Sequence, residues 1–232
     1  MNEQVAVFAS PPPTTRADKE FEAKIDTNRF RRARMRMVIE ALERLAPGRS
    51  VIRLLDVGGS RAYWEGARDL WGHLPLEITI VNLGAPTVDD PPYYLRSGNA
   101  CGMQEYPDNS FDFVHSNSVI EHVGKWADMM AMAREVRRLA RHYYVQTPNF
   151  GFPYEPHYRT LFFHWYPEVV RARMLMRKKR GFRGPLPTLD RGMRDIQTVN
   201  LLNRSQMAEL FGDARIETER VFGLAKSLIA IR

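Results

Sequence analysis

The chain has 232 residues, 44% of them hydrophobic and 26% charged, which is ordinary for a globular protein and sets aside both a fibrous class and wholesale disorder. That length suits one large α/β domain with a substantial core, and the formal charge of +7 is concentrated in Arg29 to Arg36 and Arg171 to Arg183. A single cysteine, Cys101, excludes an internal disulfide framework and any multi-cysteine metal site, and fits a reducing, cytoplasmic setting.

Residues 1–20 read as a flexible leader, because Pro11, Pro12 and Pro13 fix φ and remove amide donors. Met1 to Thr15 lacks the basic-then-apolar order of a signal peptide, and no apolar run approaches the roughly 18 to 20 residues that span a bilayer. Residues 21–232 are then expected to form a single domain. From Phe30, the residues Ala33, Met37, Val38, Ala41, Leu42 and Leu45 recur at helical spacing until Pro47-Gly48 ends the pattern. Val51 to Val57 is a short apolar, β-branched strand; Gly58-Gly59-Ser60 turns it into a helix predicted over Tyr63 to Trp71. A second strand is predicted at Leu76 to Asn82, followed by a Pro-rich loop from Pro86 to Pro92.

The turn Pro107-Asp108-Asn109-Ser110 introduces a buried strand at Phe111 to Asn117. Trp126, Met129, Met130, Ala133 and Val136 then keep helical spacing, and His142 to Gln146 returns to strand character. Strands alternating with helices imply right-handed crossovers and a mostly parallel sheet covered on both faces. Phe150 to Asn200 breaks this rhythm with aromatics, prolines and arginines, and is too long for a normal connection, so a functional insertion or lid is expected there. Ser205 is expected to cap a short helix at Gln206 to Phe211, with strands near Arg215 to Val221 and Lys226 to Ile231.

The strongest local signal is Leu54-Leu55-Asp56-Val57-Gly58-Gly59-Ser60, an acidic residue at a strand end followed by small residues that let a ligand approach the backbone. It is not the dinucleotide fingerprint, since Ser60 and Tyr63 stand where that pattern has its second and third glycines, which disfavours NAD. Asp56 to Ser60, then Gly98-Asn99-Ala100, then Phe111 to Val123 together resemble the successive motifs of class I methyltransferases that use S-adenosylmethionine (SAM), specifically the small-molecule type 11 group. The resemblance covers Arg49 to Asn149, and Glu219 to Ile231 is similar to that group's closing strand pair. It implies a Rossmann-like α/β three-layer sandwich with a mostly parallel seven-stranded sheet and an antiparallel last strand.

The resemblance also implies roles. Asp56 with Gly58, Gly59 and Ser60 would face the amino-acid end of SAM, Asn82 and Leu83 the ribose, and Asn99 with Ala100 the adenine. Asn82 and Asn99 both stand where the family usually has an acid; each keeps an acceptor and forfeits the charge. Asn117 and Ser118, at the carboxyl end of a strand, fall where open α/β sheets place ligands, and His122 would touch cofactor or acceptor.

Methyl transfer needs alignment, exclusion of water and, for an oxygen nucleophile, a base. His157 or Glu155, in Pro153-Tyr154-Glu155-Pro156-His157-Tyr158, is the base expected in an acceptor pocket within the insertion. No metal is expected, since His157, His164 and Glu155 come with neither an H-E-x-x-H helix nor a cysteine pair. Asp90-Pro91-Pro92-Tyr93 spells the tetrapeptide of amino-methylating DNA enzymes but follows the wrong strand, and reads as a turn.

The acceptor implied is a hydroxyl or amine of a small molecule, or of a sugar or glycan precursor. The basic balance keeps an RNA methyltransferase open, with steep salt dependence. The two neutral replacements keep open an inactive SAM-fold scaffold. The basic stretch Arg171 to Arg183 could meet a membrane surface, with a solvated lid helix as the simpler reading.

Overall fold

The computed structural model describes residues 29–232, so the leader expected over residues 1–20 lies outside the described residues. The described residues form two compact units: one holds 29–117, 131–145 and Arg232, the other 118–130 and 146–231.

The first unit opens with α1 (Arg29–Leu45), which turns Met35, Val38, Ile39 and Leu42 into the core at helical spacing. Gly48, at φ +76°, takes the chain out of the helix toward β1 (Ile52–Val57), where only Arg53 is exposed. Two short helices follow, α2 (Arg61–Glu65) and α3 (Arg68–Trp71), in place of one over Tyr63 to Trp71. Gly66 ends the first by donating its amide to the Ala62 carbonyl, which bends the chain before Arg68. β2 (Leu76–Asn82), β3 (Val88–Asp90), β4 (Tyr93–Ser97) and β5 (Phe113–Asn117) come next.

The strand order in this unit is β3-β4-β2-β1-β5, with β6 (His142–Pro148) beyond β5. β1 pairs in parallel with β2 and β5, and β2 with β4; β3 alone runs antiparallel to β4. The expected count of seven strands therefore misses an edge strand, which lies inside the Pro86 to Pro92 stretch read as loop. Asp90 ends that strand with its carboxylate 2.6 Å from the Arg61 guanidinium, so Asp90-Pro91-Pro92-Tyr93 is the turn into β4. Helix α4 (Trp126–Leu139) and strand β6 each begin in one unit and end in the other. Along α4 the buried stripe is Met129, Met132, Ala133, Val136 and Leu139, whereas Trp126 and Met130 are exposed.

The second unit contains a hairpin of β7 (Tyr154–Glu155) and β8 (Thr160–Leu161), then α5 (Glu168–Arg177), α6 (Leu189–Ile196) and α7 (Arg204–Leu210). The expected insertion is thus folded around its own core of Tyr158, Phe163, Ala172, Leu175, Ile196 and Val199. α5 and α6 meet at Gly192, where a methyl group would stand 3.0 Å from Ala172 Cβ. The basic helix α5 buries Ala172 and Leu175 in that core, so it is a packed helix rather than a free amphipathic face.

α7 is capped by Asn203, not Ser205. Asn203 and Gln206 exchange side-chain and backbone bonds in a capping box, a reciprocal pairing that needs their three-residue spacing. β9 (Arg215–Val221) and β10 (Leu224–Ile231) close the chain as an antiparallel pair. Among the described residues no helix is long and apolar enough to cross a membrane.

Candidate active site

In the first unit, parallel pairing aligns the carboxyl ends of β1, β2 and β4, and each end carries one of the motifs singled out in the sequence. Gly58 follows β1 at φ +74°, its amide donating to the Val81 carbonyl at 2.7 Å. Asn82 closes β2 and donates its side-chain amide to the Gly59 carbonyl at 3.4 Å, tying the first turn to the second. The Gly98 amide bonds the Asn82 carbonyl at 3.2 Å, which brings Gly98 to Ala100 to the same edge.

The asparagine acceptors are already used locally. Asn82 Oδ1 takes the Leu83 amide at 2.9 Å, and Asn99 Oδ1 takes the Cys101 amide at 3.0 Å. Ser60 accepts from the Tyr63 amide and caps α2.

Asp56 lies beneath this edge, fully buried. One of its oxygens takes the Trp64 indole N–H at 2.7 Å and the other His115 Nδ1 at 2.7 Å. A methyl group at Gly59 would fall 1.7 Å from Asp56 Oδ2, so only glycine lets the turn close over the carboxylate. The side chain expected to face a cofactor is therefore turned inward, and it holds the turn from below. Rings of Tyr63 and Tyr144 stack on His115 at centroid distances of 5.4 and 5.6 Å. At the end of β5, Asn117 presents a buried Oδ1 with no hydrogen-bond partner.

The second unit gathers a different set. Glu121 and His122 end a one-turn 3-10 helix (Ile120–His122), and β7 with the turn after it carries Glu155 and His157. His157 Nδ1 lies 2.6 Å from Glu155 Oε1, and Glu155 Oε2 accepts the Tyr158 amide at 2.6 Å. His122 Nδ1 donates to the Thr198 carbonyl at 3.0 Å, which leaves its Nε2 as a bare lone pair 3.1 Å from His157 Nε2. Thr147 donates to Glu121 Oε2 at 2.9 Å, while Glu121 Oε1 is buried without a partner, 3.9 Å from His157 Nε2.

Burial raises the Glu121 carboxyl above the usual carboxylate range, against the pull of His157. Burial and the neighbouring His157 push His122 down to about 4. Burial also opposes the charge on His157, but the hydrogen bond and charge of Glu155, helped by Glu121, outweigh it and the imidazole sits above its ordinary value. Ser118, bent at φ +58°, hydrogen-bonds Gln146 through both its amide and its hydroxyl.

A cavity of about 350 Å³ in this unit is lined by Glu155, Tyr158, His164 and Arg171, with Trp126 and Phe150 among its apolar walls. His164 stands apart from the histidine pair: its Nε2 donates to the Phe150 carbonyl at 2.8 Å. His157, His164 and Glu155, set aside as a metal set from the sequence, do not converge; Glu121, His122 and His157 do, with Glu155 behind them. Sequence reading left out Glu121, Thr147 and Thr198, since only the folded chain brings them to the imidazoles.

Residues 78–142 match a family model described as a methyltransferase domain. No curated protein matches the chain. Among solved structures, the chain is similar to phosphoethanolamine N-methyltransferase 2 of Haemonchus contortus, in complex with S-adenosyl-L-methionine, at 18% identity and a TM-score of 0.49. That match covers 81% of this chain but only 38% of the length of that protein. The CurJ carbon methyltransferase is 15% identical over 87% of this chain and 53% of its own, with a TM-score of 0.53. An O-methyltransferase family protein of Burkholderia thailandensis is 12% identical over 93% of this chain and 58% of its own, also at 0.53. At these identities the likeness establishes the fold, a Rossmann-like mostly parallel sheet with its last strands antiparallel.

Proposed function

We propose that this chain, which carries a methyltransferase domain on the class I fold, moves a methyl group from S-adenosylmethionine to a hydroxyl or amine of a small molecule or of a sugar or glycan precursor. The observation that carries this reading is the convergence in the first unit. Gly58 to Ser60, Asn82 with Leu83, and Gly98 to Ala100 lie along one carboxyl edge of parallel strands, where α/β sheets receive ligands. Asn117 Oδ1 adds a buried acceptor in want of a donor, and the ammonium group of the cofactor is one.

When bound, the cofactor supplies an activated sulfonium carbon. The glycine turn, Gly58 to Ser60, would meet its methionine end, with Asp56 as a positioning residue that fixes the turn from below. Asn82 and Leu83 would meet its ribose, and Asn99 and Ala100 its adenine.

In the second unit His157 takes the acceptor's proton on Nε2, held in register by the bond from its Nδ1 to Glu155, and His122 flanks that nitrogen. The cavity beside Glu155 lies at the small end of ligand pockets, which suits a small acceptor better than a nucleic-acid groove.

Calorimetry with SAM, alongside mass spectrometry of co-purified ligand, tests the cofactor. Saturable binding is expected, and none at millimolar cofactor would overturn the proposal. That outcome would favour a second reading, an inactive scaffold, which the locally engaged oxygens of Asn82 and Asn99 support. For the base, His157→Ala should lower turnover by about 10²- to 10⁴-fold with cofactor affinity unchanged. Unaltered turnover would remove His157 from the mechanism.

A further inference from the structure

We propose that Glu121, His122 and His157 form a binding site for a divalent transition-metal ion, with zinc the ion that their donor set fits best. The site lies within the second unit and shares His157 Nε2 with the methyl-transfer reading, in which that nitrogen acts as the base only while no ion is bound to it.

His122 Nδ1 must carry hydrogen, because its partner at 3.0 Å is the Thr198 carbonyl; His122 Nε2 therefore presents a lone pair. His157 Nδ1 is committed to Glu155, so the Nε2 atoms of the two rings confront each other at 3.1 Å, a contact that either a proton on His157 Nε2 or a metal ion against both nitrogens satisfies. A proton on His157 Nε2 would relieve that contact alone. It would leave Glu121 Oε1, on a fully buried carboxylate, with no hydrogen-bond donor. A metal ion serves all three atoms at once.

The donor atoms lie within 4.8 Å of one another. Two nitrogens on one tetrahedral zinc, bonded at about 2.05 Å, stand roughly 3.3 Å apart, close to the separation found between the two Nε2 atoms. Each donor group is also oriented from behind, His122 by the Thr198 carbonyl, His157 by the Glu155 carboxylate and Glu121 by the Thr147 hydroxyl. Such outer partners fix tautomer and ring direction at metal centres. Two imidazoles and one carboxylate leave a fourth position open, the arrangement of zinc sites that bind a water or substrate oxygen.

The test uses the full chain, stripped of metal by chelator dialysis and titrated with zinc chloride in competition with a chromophoric chelator. One equivalent should bind. His157→Ala, and independently Glu121→Gln, which keeps the side-chain size and the bond from Thr147, should each weaken binding at least 10-fold. His142→Ala, at an exposed histidine outside the cluster, should leave it unchanged. Circular dichroism identifies any variant that fails to fold, and the other then decides. No zinc binding by the wild-type chain, or binding that survives both substitutions, overturns the proposal. Titrating the same samples with S-adenosylhomocysteine reads the cofactor half separately, so failure of either reading is visible by itself.

Discussion

Two buried carboxylates, one in each unit, stand beside histidines and are fully excluded from solvent, yet they are built to different ends. Asp56 has both oxygens engaged, one by the Trp64 indole and one by His115. Glu121 has one oxygen on Thr147 and the other without a hydrogen bond, 3.9 Å from His157 Nε2. A buried polar group that is fully bonded holds structure, whereas one left short is costly and marks a place where a ligand, an ion or a proton completes the set. The first carboxylate is thus a brace under the glycine turn, and the second is part of a site.

The largest effect should come from breaking the brace. Asp56→Ala strands the Trp64 N–H and the His115 N–H in the core of the first unit, and losing one side of such a buried cluster costs about 3 to 5 kcal/mol. Denaturant unfolding should show that loss, and calorimetry should show cofactor binding abolished, because the turn above loses its support. Wild-type stability and wild-type affinity together would mean that Asp56 braces nothing.

The opposite sign is expected at the other carboxylate. Glu121→Gln keeps an acceptor for Thr147 while removing a buried charge, so the metal-free chain should gain about 1 kcal/mol at neutral pH. The sign with pH follows from burial, which raises the folded-state value of Glu121. The folded chain therefore holds that proton more tightly than the unfolded one, and wild-type stability falls as pH rises from the unfolded value through the folded one. The advantage of the variant should accordingly vanish in acid and be full above the folded value. Urea unfolding at several pH values measures it, and a variant less stable than wild type at neutral pH would show that the charge is already compensated.

The same contrast separates what the sequence makes legible from what only the fold brings together. β2 was legible because apolar, β-branched residues alternate across Leu76–Asn82 between clear breaks. β3 and β4 were not, because a three-residue edge strand and the Pro91-Pro92 pair hide their pattern. The helix expected over Tyr63 to Trp71 divides at Gly66, a residue that helical periodicity does not count. Glu155 and His157 were legible as a pair, being two residues apart at a hairpin. Glu121 was not legible as their neighbour, since a tertiary approach puts it beside His157, and no local pattern encodes an oxygen without a partner. Asp56 was found by its motif, but its direction was not, because the inward turn is fixed by Trp64 and His115.

The smallest effect concerns the cofactor edge itself. Asn82→Asp restores the charge that the resembling family carries at this position, and a charge-assisted bond to a ribose hydroxyl is about twice as strong as a neutral one. The gain is opposed locally, however. Asn82 donates to the Gly59 carbonyl at 3.4 Å, and an aspartate there would face that carbonyl with an oxygen instead. The bond being lost is long and Asn82 is exposed, so its net worth lies at the low end of the usual range of about 0.5 to 1.5 kcal/mol. The two terms nearly offset, and cofactor affinity should rise by less than about tenfold, equivalent to at most about 1.4 kcal/mol. Calorimetry with SAM on both chains measures it. A weaker cofactor complex in the variant would show that the link from Asn82 to the glycine turn outweighs the charge.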